Sequence, residues 1–326
     1  MKSFRVVVFV LILLSLTSDC HAALKAGFYV GKCGKQNVES IIRNVVRQRF
    51  ARDPTIVAAL LRMQFHDCFV SGCDASVLLN GARSEKTAPP NLSLRGFDLI
   101  ERAKAAVEKA CPRVVSCADI IAVAARDAVF LSKGMNYRVQ TGRRDGVVSL
   151  ASNVNLPGPG ISVSQSMGFF ANKGFSTREM VLLIGGGHSV GVAHCSLFQN
   201  RLYNFRNTGR PDPSMDVNLA NRLRGRCPQR SAIDNLVNLD QTPSSALVVD
   251  NGFYKQIKAR RGILEIDQAM AFHSSTSAIV TSFANNGKSF QTQFGAAMIK
   301  MGAMQVLTGK KGEIRKTCGA RPRRSS

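Results

Sequence analysis

The chain has 326 residues, 45% of them hydrophobic and 20% charged, with a mean hydropathy near zero. That composition excludes disordered and collagen-like chains and leaves a globular protein long enough to bury a large core. Lys and Arg number 44 against 21 Asp and Glu, a formal charge of +23 that attracts polyanions as a class, whether nucleic acid, anionic lipid or acidic polysaccharide.

The first 22 residues point to a compartment. Lys2 and Arg5 form a basic start, residues 6–16 an apolar run, and Cys20 and Ala22 place small residues at the −3 and −1 positions of a cleavage point. The expectation is a signal peptide over 1–22 and a single secreted domain over 23–326. The apolar run falls short of the roughly 20 residues that span a bilayer, and no later stretch reaches that length, so no membrane partner is expected. Secretion also removes nucleic acid as a partner. Of nine cysteines, Cys20 leaves with the signal, and the even remainder in a secreted chain reads as four disulfides of open connectivity.

Along the mature chain the pattern is helical almost throughout, with no repeats and only weak strand signals. Ile41, Ile42, Val45, Val46 and Phe50 share one helical face. Asp53 and Pro54 read as N-cap and first-turn residue of a helix reaching about Cys68. Further helices fit 96–110, stopped by Pro112, and 117–131 behind a capping Ser116. Ser176 and Glu179 form a capping box ahead of 180–184, and glycines 185–187 read as the end of that helix. Later helices fit 250–261, 276–284 and 290–304.

Two of the five histidines stand in unusual company. On a helix, Arg62 and His66 at i and i+4 share a face, which sets a permanent cation beside a titratable base. The segment that follows offers hard oxygen atoms from Asp67, Asp74 and Ser76, interleaved with Val70 and Gly72, a composition suited to Ca²⁺. Cys68 and Cys73 are spaced to close a tight loop around it. His188 follows three glycines, whose lack of side chains lets a large flat group such as a haem approach the backbone.

These residues, with Arg95-Gly-Phe97, the run 110–119, the run 142–146, Asn155-Leu-Pro157, Gly186-Gly-His188, the run 260–267 and the run 312–318, resemble the secreted plant haem peroxidases of class III over essentially the whole mature chain. The resemblance implies an all-α haem peroxidase fold, with distal and proximal helical halves enclosing one haem b and a calcium ion in each half. It implies His188 as the axial iron ligand and Asp267 as the carboxylate accepting its other ring N–H. His66 becomes the distal acid–base, Arg62 its cationic partner, and Asn91 the residue that fixes the His66 tautomer, backed by Glu85. Phe65 would wall the pocket, and the Pro157 carbonyl would face reducing substrates.

The distal calcium would take Asp67, Val70, Gly72, Asp74 and Ser76. The proximal calcium would take Ser189, Asp240, Asp250 and an intermediate ligand, Thr242 or Ser244, because the 240–250 loop is about two residues longer than the family's. The implied disulfides join Cys33 to Cys111, Cys68 to Cys73, Cys117 to Cys318, and Cys195 to Cys227. The implied activity is reduction of H2O2 with one-electron oxidation of small phenolic donors, by a monomer in the cell wall, apoplast or vacuole. The charge adds pectin or another wall polyanion as a candidate partner, and the competing reading is a basic polyanion-binding wall protein whose catalysis is incidental. The single sequon, Asn91-Leu-Ser93, is expected to stay unglycosylated if Asn91 lies inside the pocket. His194 and His273 match no role.

Overall fold

The computed structural model describes residues 24–320, so the expected signal peptide and the basic stretch 321–324 lie outside the described residues. Among the described residues there are twelve α-helices and two short two-stranded ribbons. The first half of the chain supplies α1 (Val38–Arg52), α2 (Ile56–Ser71), α3 (Phe97–Ala110) and α4 (Cys117–Leu131). Helix α4 starts where Ser116 Oγ accepts the Asp119 amide and is buried on nearly every face, its alanines letting α1, α2 and α3 pack closely around it. Buried within it, Asp119 pairs with Arg143 at 2.7 Å and accepts the Tyr29 hydroxyl at 2.6 Å, which ties the start of the chain to the centre of this half.

The second half supplies α5 (Val163–Ala171), α6 (Thr177–His188), α7 (Gln199–Tyr203), α8 (Val217–Arg226), α9 (Gly252–Lys258), α10 (Glu265–Met270), α11 (Ser277–Asn285) and α12 (Gly287–Gly302). Helix α12 packs along α6 and also reaches α2, joining the two halves through one contiguous core. Strand β1 (Lys25–Ala26) pairs antiparallel with β2 (Gln140–Thr141). Strand β3 (Val192–His194) pairs antiparallel with β4 (Leu236–Asn238), with His194 opposite Leu236. All four implied disulfides are present: Cys33–Cys111, Cys68–Cys73, Cys117–Cys318 and Cys195–Cys227.

Several helix ends differ from the sequence reading. Asp53 does not cap α2; it closes α1 through its amide, and its carboxylate accepts the Thr55 amide at 3.1 Å. Helix α2 then runs past Cys68 to Ser71. Glycines 185–187 do not end α6, which continues through them to His188. Their role is close packing: a Cβ on Gly185 would collide with the Tyr254 ring, and one on Gly186 with the Phe294 ring. Helix α9 is shorter than 250–261, because Asp250 caps the Gly252 amide at 2.7 Å and Arg260 adopts a left-handed φ of +62°. Helices α5, α7, α8 and α10 have no counterpart in the sequence reading, although the Ser162–Gln165 capping box of α5 was available as a signal.

Candidate active site

Two histidines stand on the contacting helices α2 and α6, each fixed through Nδ1 by a buried partner. On α2, Arg62 and His66 lie one turn apart as their spacing predicts, and the Arg62 Nε donates to His66 Nε2 at 3.2 Å. His66 Nδ1 sits 2.6 Å from Asn91 Oδ1, and Asn91 Nδ2 donates to the Glu85 carbonyl at 2.8 Å. That second bond fixes the amide's orientation, so its oxygen must face the ring, Nδ1 carries the proton and Nε2 is the basic nitrogen. Burial and then the Arg62 charge push the His66 pKa down to about 4, despite the opposing bond from Asn91. The imidazole is therefore neutral at ordinary pH.

The remaining Arg62 donors reach Ser93 Oγ at 2.9 Å and the Pro90 carbonyl at 2.8 Å. The turn 89–91 that carries Asn91 thus anchors both members of the Arg–His pair. Phe65 forms a wall beside them, its ring 5.8 Å from that of His66 and 4.4 Å from Phe69, with Phe170 packed behind.

The second histidine, His188, is the last residue of α6. Its Nδ1 lies 2.8 Å from Asp267 Oδ1, on α10, while the ring is 29% exposed and, among the described residues, Nε2 has no hydrogen-bond partner. Burial lowers the His188 pKa, but the charge and hydrogen bond of Asp267 outweigh it, and the net direction is upward. The Arg62 charge on α2 also bears on His188. Gly191, three residues on, lies against Ala58 of α2, where a Cβ would come within 2.7 Å of the Ala58 Cβ. Pro157 is half-buried in the stretch leading to α5, and the Pro159 carbonyl accepts the Ile266 amide at 3.4 Å, which sets that stretch beside Asp267.

Beyond His66 the chain turns through the oxygen-rich loop 67–76. Asp67 Oδ2 accepts the Ala75 amide at 3.0 Å, whereas Asp67 Oδ1, Ser76 Oγ and both Glu85 carboxylate oxygens are buried without a hydrogen-bond partner. Burial, then mutual repulsion with Asp74, raises Asp67 well above the usual carboxylate range; burial likewise raises Asp74, and Glu85 to about 7. Such unpaired buried oxygens call for a cation. The pocket is kept open by Gly146, where any Cβ would fall inside the Asp74 carboxylate, and by Gly72, whose φ of +100° brings it against the Gln305 backbone.

The second set gathers around Gly252 and brings Ser245 beside the expected residues. Asp250 Oδ1, Ser245 Oγ and Asp240 Oδ2 converge on Gly252, at 2.9, 2.9 and 3.0 Å from where its Cβ would stand. Ser245 stands with the two carboxylates there, brought back by a turn that its amide closes on the Thr242 carbonyl at 3.1 Å, and the Thr242 amide donates to Asp240 Oδ1 at 2.8 Å. The Thr242 hydroxyl accepts from Gln256 at 2.9 Å, and the Ser189 hydroxyl donates to the Gly186 carbonyl at 2.8 Å. Among the described residues neither loop gathers three acidic, His or Cys side chains, so an ion there would rest on carbonyl and hydroxyl oxygens too, as hard divalent cations do.

Asn91 is 2% exposed. Ser93 as an Arg62 anchor and Ser245 as an acid-loop partner are absent from the sequence reading, and neither carries a local signal.

A family model described as Peroxidase matches residues 42–286. The chain is 52% identical to Peroxidase 57 of Arabidopsis thaliana over 308 residues, 94% of this chain and 96% of that protein. It is 48% identical to Peroxidase 60 of Arabidopsis thaliana over 320 residues, covering 97% and 96%. With Peroxidase 5 of Vitis vinifera it shares 45% over 315 residues, covering 95% and 94%.

Proposed function

The chain belongs to the peroxidase family, with the plant class III enzymes, and is a peroxidase; from that membership we propose that it is a secreted haem b enzyme that reduces H2O2 while oxidising small phenols one electron at a time. The observation that carries this reading is the pair of histidines on contacting helices, each held through Nδ1 so that Nε2 is left as the working nitrogen. The donor set fits a haem: the Nε2 of His188, on a partly exposed ring, is a ligand atom, and beside it Gly187 has open space where a side chain would stand. The haem, when bound, supplies the redox chemistry and the place where peroxide meets the protein.

The chain's own residues do the rest. His188 would hold the iron through Nε2, while Asp267 keeps its Nδ1–H and lends the ring anionic character. His66, neutral and with Nε2 as its basic nitrogen, takes a proton from the near oxygen of peroxide and returns it to the far oxygen as the O–O bond breaks, releasing water. Arg62 stabilises the negative charge that develops on the departing oxygen. Phe65 and its aromatic neighbours keep bulk water from the reacting atoms, and the Pro157 carbonyl receives the phenolic donor at the open side. Loop 67–76 would hold calcium through Asp67, Val70, Gly72, Asp74 and Ser76, and the Asp240, Ser245 and Asp250 cluster a second ion with Ser189.

A second reading, polyanion adhesion, rests on one observation. Among the described residues, none of Arg222, Arg224, Arg226, Arg230, Lys255, Lys258, Arg260 and Arg261 pairs with a carboxylate. Arg224 is committed instead to the Leu202 carbonyl at 3.1 Å, Arg226 to the Leu236 carbonyl at 3.4 Å and Arg261 to Gln256 Oε1 at 2.6 Å. The remainder suit the carboxylates of a wall polysaccharide such as pectin. The test of the main reading is peroxide-dependent guaiacol oxidation by the purified, haem-loaded monomer, with two donors consumed per peroxide. No peroxide-dependent turnover would overturn it.

A further inference from the structure

We propose that Lys173 competes with the cation of loop 67–76 for the Val70 carbonyl and thereby weakens calcium binding at that loop. The inference rests on the reading of the loop as a calcium site.

Helix α2 ends at Ser71, and its last carbonyls have no intrahelical partner. The amides that follow turn elsewhere: Cys73 donates to the Met304 carbonyl at 3.1 Å and Asp74 to that of Gly72 at 2.9 Å. The Val70 carbonyl is left for a positive charge, and the Lys173 Nζ donates to it at 3.2 Å. Lys173 is delivered there by the end of α5. The Gly174 and Phe175 amides close on the Ala171 and Phe170 carbonyls at 2.8 and 2.9 Å, Gly174 takes a φ of +83°, and Phe170 packs 5.0 Å from Phe69 of α2.

The ammonium is half-buried, and among the described residues no carboxylate lies within ion-pair distance of it. A half-buried lysine whose ammonium meets one carbonyl oxygen is an unusual arrangement, because the stem could reach solvent instead. That oxygen is one of the five groups assigned to calcium. A carbonyl has two lone pairs and can serve both cations, but two like charges around one oxygen in a partly desolvated setting repel. Calcium binding must therefore either work against the ammonium or displace it to solvent, and either cost appears as weaker affinity. When calcium leaves, the ammonium keeps one oxygen of the loop satisfied, beside the Cys68–Cys73 bridge and three residues from His66's neighbour Asp67.

The test uses the haem-loaded enzyme and competition with a chromophoric calcium chelator. Lys173→Met, of similar length without charge, should bind the ion of this loop at least about tenfold more tightly, and Lys173→Arg should stay near wild type. The Met variant should also melt lower than wild type in excess chelator and regain the difference in calcium. Unchanged or weaker affinity in the Met variant, with equal destabilisation in both conditions, would reduce Lys173 to a helix cap and overturn the proposal. Asp74→Asn separates the two levels. If that variant retains as much calcium as wild type, the loop is not a calcium site, and the role of Lys173 falls with that reading.

Discussion

Removing the Asn91 side chain tests how the distal histidine is held. In Asn91→Ala the Nδ1–H of His66, which now meets Asn91 Oδ1 at 2.6 Å, is left buried with no acceptor. An unmet buried donor costs about 1–3 kcal/mol, and the ring escapes that cost by moving its proton to Nε2, the nitrogen that must act as base. At about 1.4 kcal/mol per tenfold, the competent tautomer should fall by about 5- to 150-fold, and peroxide cleavage at neutral pH with it. Asn91→Asp gives the opposite electrostatic result. A carboxylate beside the ring should raise the His66 pKa from about 4, so the acid limb of the rate profile should move up in pH while the alkaline rate is kept. Stopped-flow single turnovers across the acid-to-neutral range read both effects. An alanine variant within twofold of wild type, together with an aspartate variant whose acid limb does not move, would refute the account of Asn91.

Other expectations follow from the same geometry. Gly146→Ala pushes a methyl into the Asp74 carboxylate, so it should lose the ion of loop 67–76 and melt lower, as metal analysis and calorimetry would show; full retention of the ion would contradict the loop's geometry. His66 resists protonation in the fold, so the unfolded chain takes up the extra proton between about pH 6.5 and about 4; stability should fall as pH drops through that window, and His66→Gln should flatten the drop. A plant-expressed protein should carry no glycan at Asn91, since that side chain is 2% exposed and doubly bonded; mass spectrometry of the peptide decides it. Binding to polygalacturonate should weaken steeply with salt, because exposed charges are screened beyond about 8 Å at physiological ionic strength; binding that is indifferent to salt would exclude the basic surface as its cause.

Helix starts are the part of the fold most legible in the sequence, since a cap is a local device. Ser116, and Ser176 with Glu179, mark their helices correctly because the bond that begins each helix spans three residues. Helix ends depend on packing partners far along the chain. Glycines 185–187 look like a terminator, yet α6 runs on because the Tyr254 and Phe294 rings occupy the space that side chains would need. The same division runs through the site. Arg62 with His66 is visible as an i, i+4 pair, whereas the meeting of His188 with Asp267 joins residues 79 apart. Only the family resemblance supplies that pair before the structure does. Ser245 and Lys173 escape both routes: one depends on how a lengthened loop folds back, the other on a contact across 103 residues.

The central claim is that His66 performs the proton transfer in peroxide cleavage opposite a haem held by His188. Rapid mixing of haem-loaded wild type and His66→Ala with hydrogen peroxide, followed at the haem absorbance, tests it most directly. The account predicts a fast first change in wild type and one at least about a hundredfold slower in the variant, the lower range of what a positioned acid–base contributes. Equal rates in the two proteins, or no haem absorbance in the purified wild type, would contradict it.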